Sequence, residues 1–282
     1  MFVKPTAPRS IGGVLDDSIR LYRQGFAKTW ILALGAQVLV GVPMLLARLK
    51  IAGTGMSNPQ ALLAIYLSPG IWLPYLAGAI ASIGFYNAIV LQLSRLFQGE
   101  VLPVGRSLTS GYRLLPRVIL LFLAFALCWT IIGVLLAIGF NAATAVRVVL
   151  SIVTLPLALY LLGRVYLAHV ALIADDLGVF KAVETSWTLT RGHWWRGLTI
   201  YSVIAVIAIV FYLLIGFVAG LIAAALGPNS LAGVGLTELV SVLGAAVVFP
   251  LITASVLAIY YDFQLRSEGA DLASRVNALA PR

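Results

Sequence analysis

Few residues of this sequence place a side chain capable of chemistry inside an apolar stretch. Arg164 lies in the stretch 147–173, roughly two turns before its end, and His169 follows five residues later. A guanidinium at that depth costs on the order of 2.5 kcal/mol or more unless it is paired or hydrated. Asp262, near the end of the stretch 238–264, is the expected partner. Tyr261 precedes it, and Asn87 and Gln92 sit at comparable depth in the stretch 71–96. Arg164, Asp262, His169, Asn87, Gln92 and Tyr261 are therefore the candidate polar pocket. Two readings compete. In one, the groups line a hydrated pocket that binds an anionic headgroup. In the other, Arg164 and Asp262 form a structural ion pair locking two helices while Arg164 snorkels to the interface.

No other grouping points to catalysis or to a metal, and no cofactor is expected. Two histidines and the single Cys128, far apart in sequence, give no zinc pattern. Asp175-Asp176 reads as an acidic lead-in to a helix at 178–191, where it favours the dipole. Ser18, Ser107 and Ser186 have no His or Asp at nucleophile spacing, apart from His193 after Ser186. Their expected role is close packing or bonding to backbone. Gly12-Gly13 lacks the Lys-Ser/Thr ending of a phosphate loop.

The elements that must position these residues follow from composition. Of 282 residues, 61% are apolar and 10% charged, and the mean hydropathy is +1.03. A soluble domain carries about 25% charged residues. A soluble enzyme, a disordered chain and a disulfide scaffold are excluded. Six segments, near 29–48, 71–96, 116–139, 147–173, 197–226 and 238–264, are long enough to cross ~30 Å of hydrocarbon as helices. They are continuously apolar, without the alternation of membrane strands. The expected fold class is an all-α integral membrane protein with six transmembrane helices, one membrane domain over 1–282. Pro156 and Pro250 are expected to interrupt or kink spans four and six. Gly216 and Gly220 form a GxxxG pair in span five, expected at a close helix contact within the bundle or between subunits.

Charge sets the orientation. With the N-terminus inside, fifteen Lys and Arg fall on the cytoplasmic side and only Arg48, Lys50 and Arg147 on the other. Both termini are thus expected in the cytoplasm, with the chain in a bacterial inner membrane. Trp30, Trp187, Trp194 and Trp195 fall near the inner boundary, and Trp72 and Tyr75 near the outer one. Residues 1–28 lack the apolar region of a cleavable signal peptide. The net charge of +9 lies between spans, so anionic lipid headgroups rather than nucleic acid are the expected partners.

The segments before spans one, three and five resemble one another. Aligned on Ser18, Ser107 and Ser186, they place Leu15, Val104 and Val183 three residues earlier and Lys28, Arg117 and Arg196 ten residues later. The serines are 89 and 79 residues apart. This suggests three repeats, each an amphipathic interfacial helix plus two spans, over about 10–97, 98–174 and 175–265, with a cytoplasmic tail 266–282. In the first segment Ile11, Val14, Leu15, Ile19, Tyr22 and Phe26 share one helical side, and Gly13, Asp16, Asp17, Arg20, Arg23 and Gln24 the other. Such a helix either lies among headgroups or packs under the bundle. The candidate headgroup contacts are Arg20, Arg23, Lys28, Arg113, Arg117, Arg191, Arg196, Trp187, Trp194 and Trp195.

Residues 164–196, RVYLAHVALIADDLGVFKAVETSWTLTRGHWWR, and the exit YYDFQLRSEGADL resemble the bacterial glycerophosphoryl diester phosphodiesterase membrane domain, as does the early SIGGVLDDSIRLYRQGF. The resemblance implies a membrane part that, in namesake members, precedes a soluble catalytic barrel. Seventeen residues follow Leu265, so the expectation here is the membrane part alone and not an enzyme. The expected function is non-catalytic binding, organisation or transport of anionic phospholipid. The alternatives are a small-solute or ion transporter, or a structural subunit working with a second copy or another membrane protein.

Overall fold

The computed structural model describes residues 5, 7–54, 59–141 and 144–279. They form ten helices and no strand among the described residues: α1 (Ile11–Thr54), α2 (Pro59–Tyr66), α3 (Pro69–Phe97), α4 (Val104–Arg113), α5 (Leu115–Asn141), α6 (Thr144–Val165), α7 (Ala168–Ala174), α8 (Val179–Thr190), α9 (Trp194–Leu226) and α10 (Leu231–Leu279). Six helical stretches are long and apolar enough to cross a membrane: Ile11–Ala52, Pro69–Phe97, Leu115–Leu135, Val148–Ala174, Trp194–Leu226 and Leu231–Gly269. In hydrocarbon every backbone N–H and C=O must find its partner within the segment, which is why uninterrupted apolar sequence becomes helix. Gly192 and Gly227, at φ 79° and 86°, make the turns on either side of α9, a conformation that costs glycine least.

The helices α1, α3 and α10 form the tightly packed centre, and α9 lies along α10. Leu21, Leu32, Ile89, Leu93, Leu257, Tyr260 and Phe263 are fully buried there. Small residues bring backbones together: a Cβ on Gly78 would overlap the Leu39 carbonyl oxygen. The pair α5–α6 stands to one side and exposes Leu123, Leu127 and Ile152, as α9 exposes Leu213 and Phe217. Such surface suits contact with acyl chains rather than water.

Several expectations change. The first segment is no separate helix, because α1 runs unbroken from Ile11 through span one. Its buried stripe is Val14, Asp17, Ser18 and Leu21, while Ile11 and Ile19 are exposed, so the inward face is rotated from the apolar one. The Arg9 guanidinium, 3.5 Å from Asp17, compensates the buried carboxylate. Pro156 and Pro250 lie inside intact helices. Span four breaks instead between Val165 and Ala168, where α7 turns inward to pack against α3 and α10 while α6 faces outward. The stretch beyond residue 265 continues as helix to Leu279. A Cβ at Gly216 or Gly220 would meet nothing within 4 Å, so neither mediates a contact within the described chain. Two of the fifteen Lys and Arg expected on the cytoplasmic side, Lys4 and Arg282, lie outside the described residues.

Candidate functional site

Arg164 and Asp262 have different partners from those expected. Arg164, in the last turn of α6, donates Nε to the Tyr160 hydroxyl at 3.1 Å and Nη1 to the Trp187 carbonyl at 3.1 Å and Thr190 Oγ1 at 3.3 Å. Its guanidinium carbon also lies 4.7 Å from the Trp187 ring centroid and 5.3 Å from that of Tyr160. Among the described residues no carboxylate pairs with it. The break after it frees backbone carbonyls, and the buried Ser186 hydroxyl satisfies the Arg164 oxygen at 2.7 Å.

Asp262 is instead the centre of a clamp. Its Oδ2 accepts Arg196 Nε at 3.1 Å and Arg266 Nε at 2.9 Å, and its Oδ1 accepts the Arg9 backbone N–H at 2.9 Å. Both arginines donate Nη2 to the Arg9 carbonyl at 2.6 Å. Asp262 is 4% exposed. The start of the chain is thereby fastened to the beginning of α9 and to the late part of α10, with the buried charge doubly compensated.

The remaining pocket candidates separate into small packed contacts. Asn87 donates Nδ2 to the Gly111 carbonyl at 3.0 Å, and its Oδ1 lies 3.2 Å from His169 Nε2. Gln92 donates to the Leu102 carbonyl and to Ser107 Oγ. Tyr261 shares a 2.8 Å hydrogen bond with Ser94 and stacks on Phe97 at 4.0 Å. Spans two, four and six do converge, but through α7, whose Ala168, Ala171 and Leu172 are fully buried with the preceding Leu167. The convergence is core.

The basic and aromatic candidates gather at one end of the bundle. Arg20, Arg23, Arg113 and Arg191 are exposed, with no ion pair within 4 Å among the described residues, although Arg20 still acts on the buried Asp17 by charge. Lys28 donates to the Leu102 carbonyl at 3.2 Å, and Arg117 pairs with Asp176 at 2.7 Å. Asp175 accepts Tyr260 at 2.6 Å and Gln264 at 3.0 Å, tying α7 to α10. The acidic pair is thus a cross-link between helices rather than only a helix lead-in. Trp187 and Trp195 are exposed, and Trp194 lies edge-on to Trp195 at 4.4 Å. Among the described residues, no three His, Cys, Asp or Glu side chains gather to hold a metal.

No family model matches the chain. No curated protein and no solved structure matches it either. The site therefore has to be read from its own geometry. Beside Arg164 an apolar groove of about 280 Å³ runs between α5, α6 and α8, lined by Phe125, Trp129, Leu161, Val165, Phe180 and Val183. Phe180, Val183 and Trp187 recur at helical spacing along α8, so one helix side borders both groove and guanidinium. Sequence reasoning missed a second feature at the opposite end, where Glu238 of α10 is buried and pairs with Arg48 at 3.2 Å. A lone acidic residue at the edge of span six was the available signal.

Proposed function

We propose that this chain is a non-catalytic, multi-pass protein of a bacterial inner membrane that binds anionic phospholipid and helps to organise or transport it. The observation that carries the reading is Arg164. It is a cation at the edge of an apolar span, stacked on Tyr160 and Trp187, without a carboxylate among the described residues, beside an apolar groove. A lipid phosphate supplies the missing charge, and the groove takes part of an acyl chain. Exposed Arg20, Arg23, Arg113 and Arg191 at the same end supply further attraction for an anionic leaflet. That end is the cytoplasmic one in this reading, with both termini inside.

The threefold organisation belongs to the same proposal. Ser18, Ser107 and Ser186 are each buried and each donate to a backbone carbonyl. Each unit's two long helices pair, as α1 with α3, α5 with α6 and α9 with α10. The serine-bearing helices of units two and three pack on the closing helices of the unit before, α4 on α3 and α8 on α6 and α7, while α1 of unit one packs on α10 of unit three. The likeness to the glycerophosphoryl diester phosphodiesterase membrane domain fits a lipid-facing role without catalysis.

The test is native mass spectrometry of the full chain released from nanodiscs of phosphatidylcholine and phosphatidylglycerol in equal parts. Phosphatidylglycerol is expected to be retained preferentially, and Arg164→Ala to lower that retention several-fold while Arg164→Lys keeps most of it. Equal retention of the two lipids, or an unchanged Arg164→Ala, overturns the reading.

A further inference from the structure

The opposite end of the bundle holds a cavity of about 340 Å³ between α1, α3, α9 and α10. Its size is that of a small-molecule site. Glu238 lines it and is 8% exposed, with Oε2 engaged by Arg48 at 3.2 Å. Oε1 is turned towards Gly41, where a Cβ would stand 3.6 Å from it, and no donor among the described residues engages it.

The other polar groups of the cavity share a bias. Gln37 spends its amide nitrogen on the Tyr86 hydroxyl at 3.2 Å, which leaves its carbonyl oxygen as an acceptor. Ser241 donates its hydroxyl to the Thr237 carbonyl at 2.9 Å, which leaves oxygen lone pairs. Tyr75 and Tyr212 add aromatic faces. The wall thus offers a buried carboxylate oxygen, two neutral acceptors and two phenol rings, and it holds no cation of its own facing Oε1 among the described residues. A complementary occupant brings N–H donors and positive charge. Gly216 keeps the α9 side open, since a Cβ there meets nothing within 4 Å.

We propose that this cavity binds a primary alkylammonium group, held by Glu238 Oε1 and Gln37 between Tyr75 and Tyr212. The group comes from a free amine or from an aminophospholipid headgroup. Arg48 competes with the ligand for the same carboxylate, so its removal strengthens binding. The site is separate from the Arg164 end and stands or falls independently of it.

Two arms test this with the full chain in phosphatidylcholine nanodiscs. In the first, radiolabelled ethanolamine is titrated by scintillation proximity, with ethylene glycol as the neutral competitor. In the second, phosphatidylethanolamine is mixed into the disc and its retention read by native mass spectrometry. Saturable ethanolamine binding identifies the free amine as the source, and retention of phosphatidylethanolamine over phosphatidylcholine identifies the lipid. In whichever arm is positive, Glu238→Gln and Gly216→Leu are each expected to weaken binding at least tenfold, and Arg48→Gln to strengthen it several-fold. A Cβ at Gly216 meets nothing within 4 Å, so Gly216→Leu extends into the cavity, and a thermal melt of the variant separates a filled cavity from a misfolded chain. Failure of both arms overturns the proposal, as does wild-type binding by Glu238→Gln.

Discussion

Arg196 Nε stands 3.1 Å from Asp262 Oδ2, and that contact joins the first turn of α9 to the late part of α10 around the chain start. Removing the charge from Asp262 leaves two partly buried arginines facing each other. Asp262→Asn is expected to cost about 3 kcal/mol, as for one partner lost from a buried ion pair. Thermal unfolding in detergent checks this, and an unchanged midpoint would show that the clamp is dispensable. Limited proteolysis should cut the variant first near Arg9, because that residue loses its anchor.

Asn87 bridges α3 to both α4 and α7 through Gly111 and His169. Asn87→Leu leaves the Gly111 carbonyl and the His169 ring without that partner in a packed region. The expected loss is about 2 kcal/mol. Hydrogen exchange in α4 and α7 should rise in the variant, while exchange in α9 stays as it was.

Gly78 touches backbone across the α1–α3 contact, and Gly12 has open space around it. Gly78→Ala is therefore expected to destabilise by roughly 1–3 kcal/mol, since a carbonyl cannot step aside as a flexible side chain does. Gly12→Ala should be neutral or slightly stabilising, because alanine is the better helix former. Paired melting curves decide it, and equal midpoints for the two variants would contradict the close approach.

Cys128 is the only cysteine in the sequence, so one replacement gives a clean background for labelling. On a Cys128→Ser background, Arg106→Cys is expected to react with an impermeant maleimide only from the cytoplasmic side. Ser68→Cys should react only from the other side. The reverse pattern would invert the orientation and remove the cytoplasmic leaflet from the lipid proposal.

The sequence shows the six spans because hydrocarbon imposes continuous apolarity on each. It does not show which side of a span faces in. For α1 the apolar side fits either the headgroup region or the underside of the bundle, and in the fold Ile11 and Ile19 point out while Asp17 points in. Around a membrane bundle both interior and exterior are apolar, so polarity loses its meaning as a compass. The break in span four was hidden for another reason. No proline or glycine stands at Val165–Leu167, and the interruption follows from α7 packing inward and from Ser186, distant in sequence, satisfying the Arg164 carbonyl. Arg164 and Asp262 were legible as charges that need compensation. Their actual partners, Trp187 and Tyr160 for one and Arg196 and Arg266 for the other, depend on how whole helices dock. Glu238 needed only its charge to be noticed; the oxygen-rich wall around it required three dimensions.

α10 is a single uninterrupted rod from Leu231 to Leu279. It carries Glu238 near one mouth of the bundle and Asp262 near the other, about 36 Å apart at 1.5 Å of rise per residue. One helix thus bears both charged groups, with Pro250, which removes a backbone donor, midway between them. Each end of the bundle is therefore pinned to the same helix by its own buried carboxylate, Glu238 through Arg48 and Asp262 through Arg196 and Arg266.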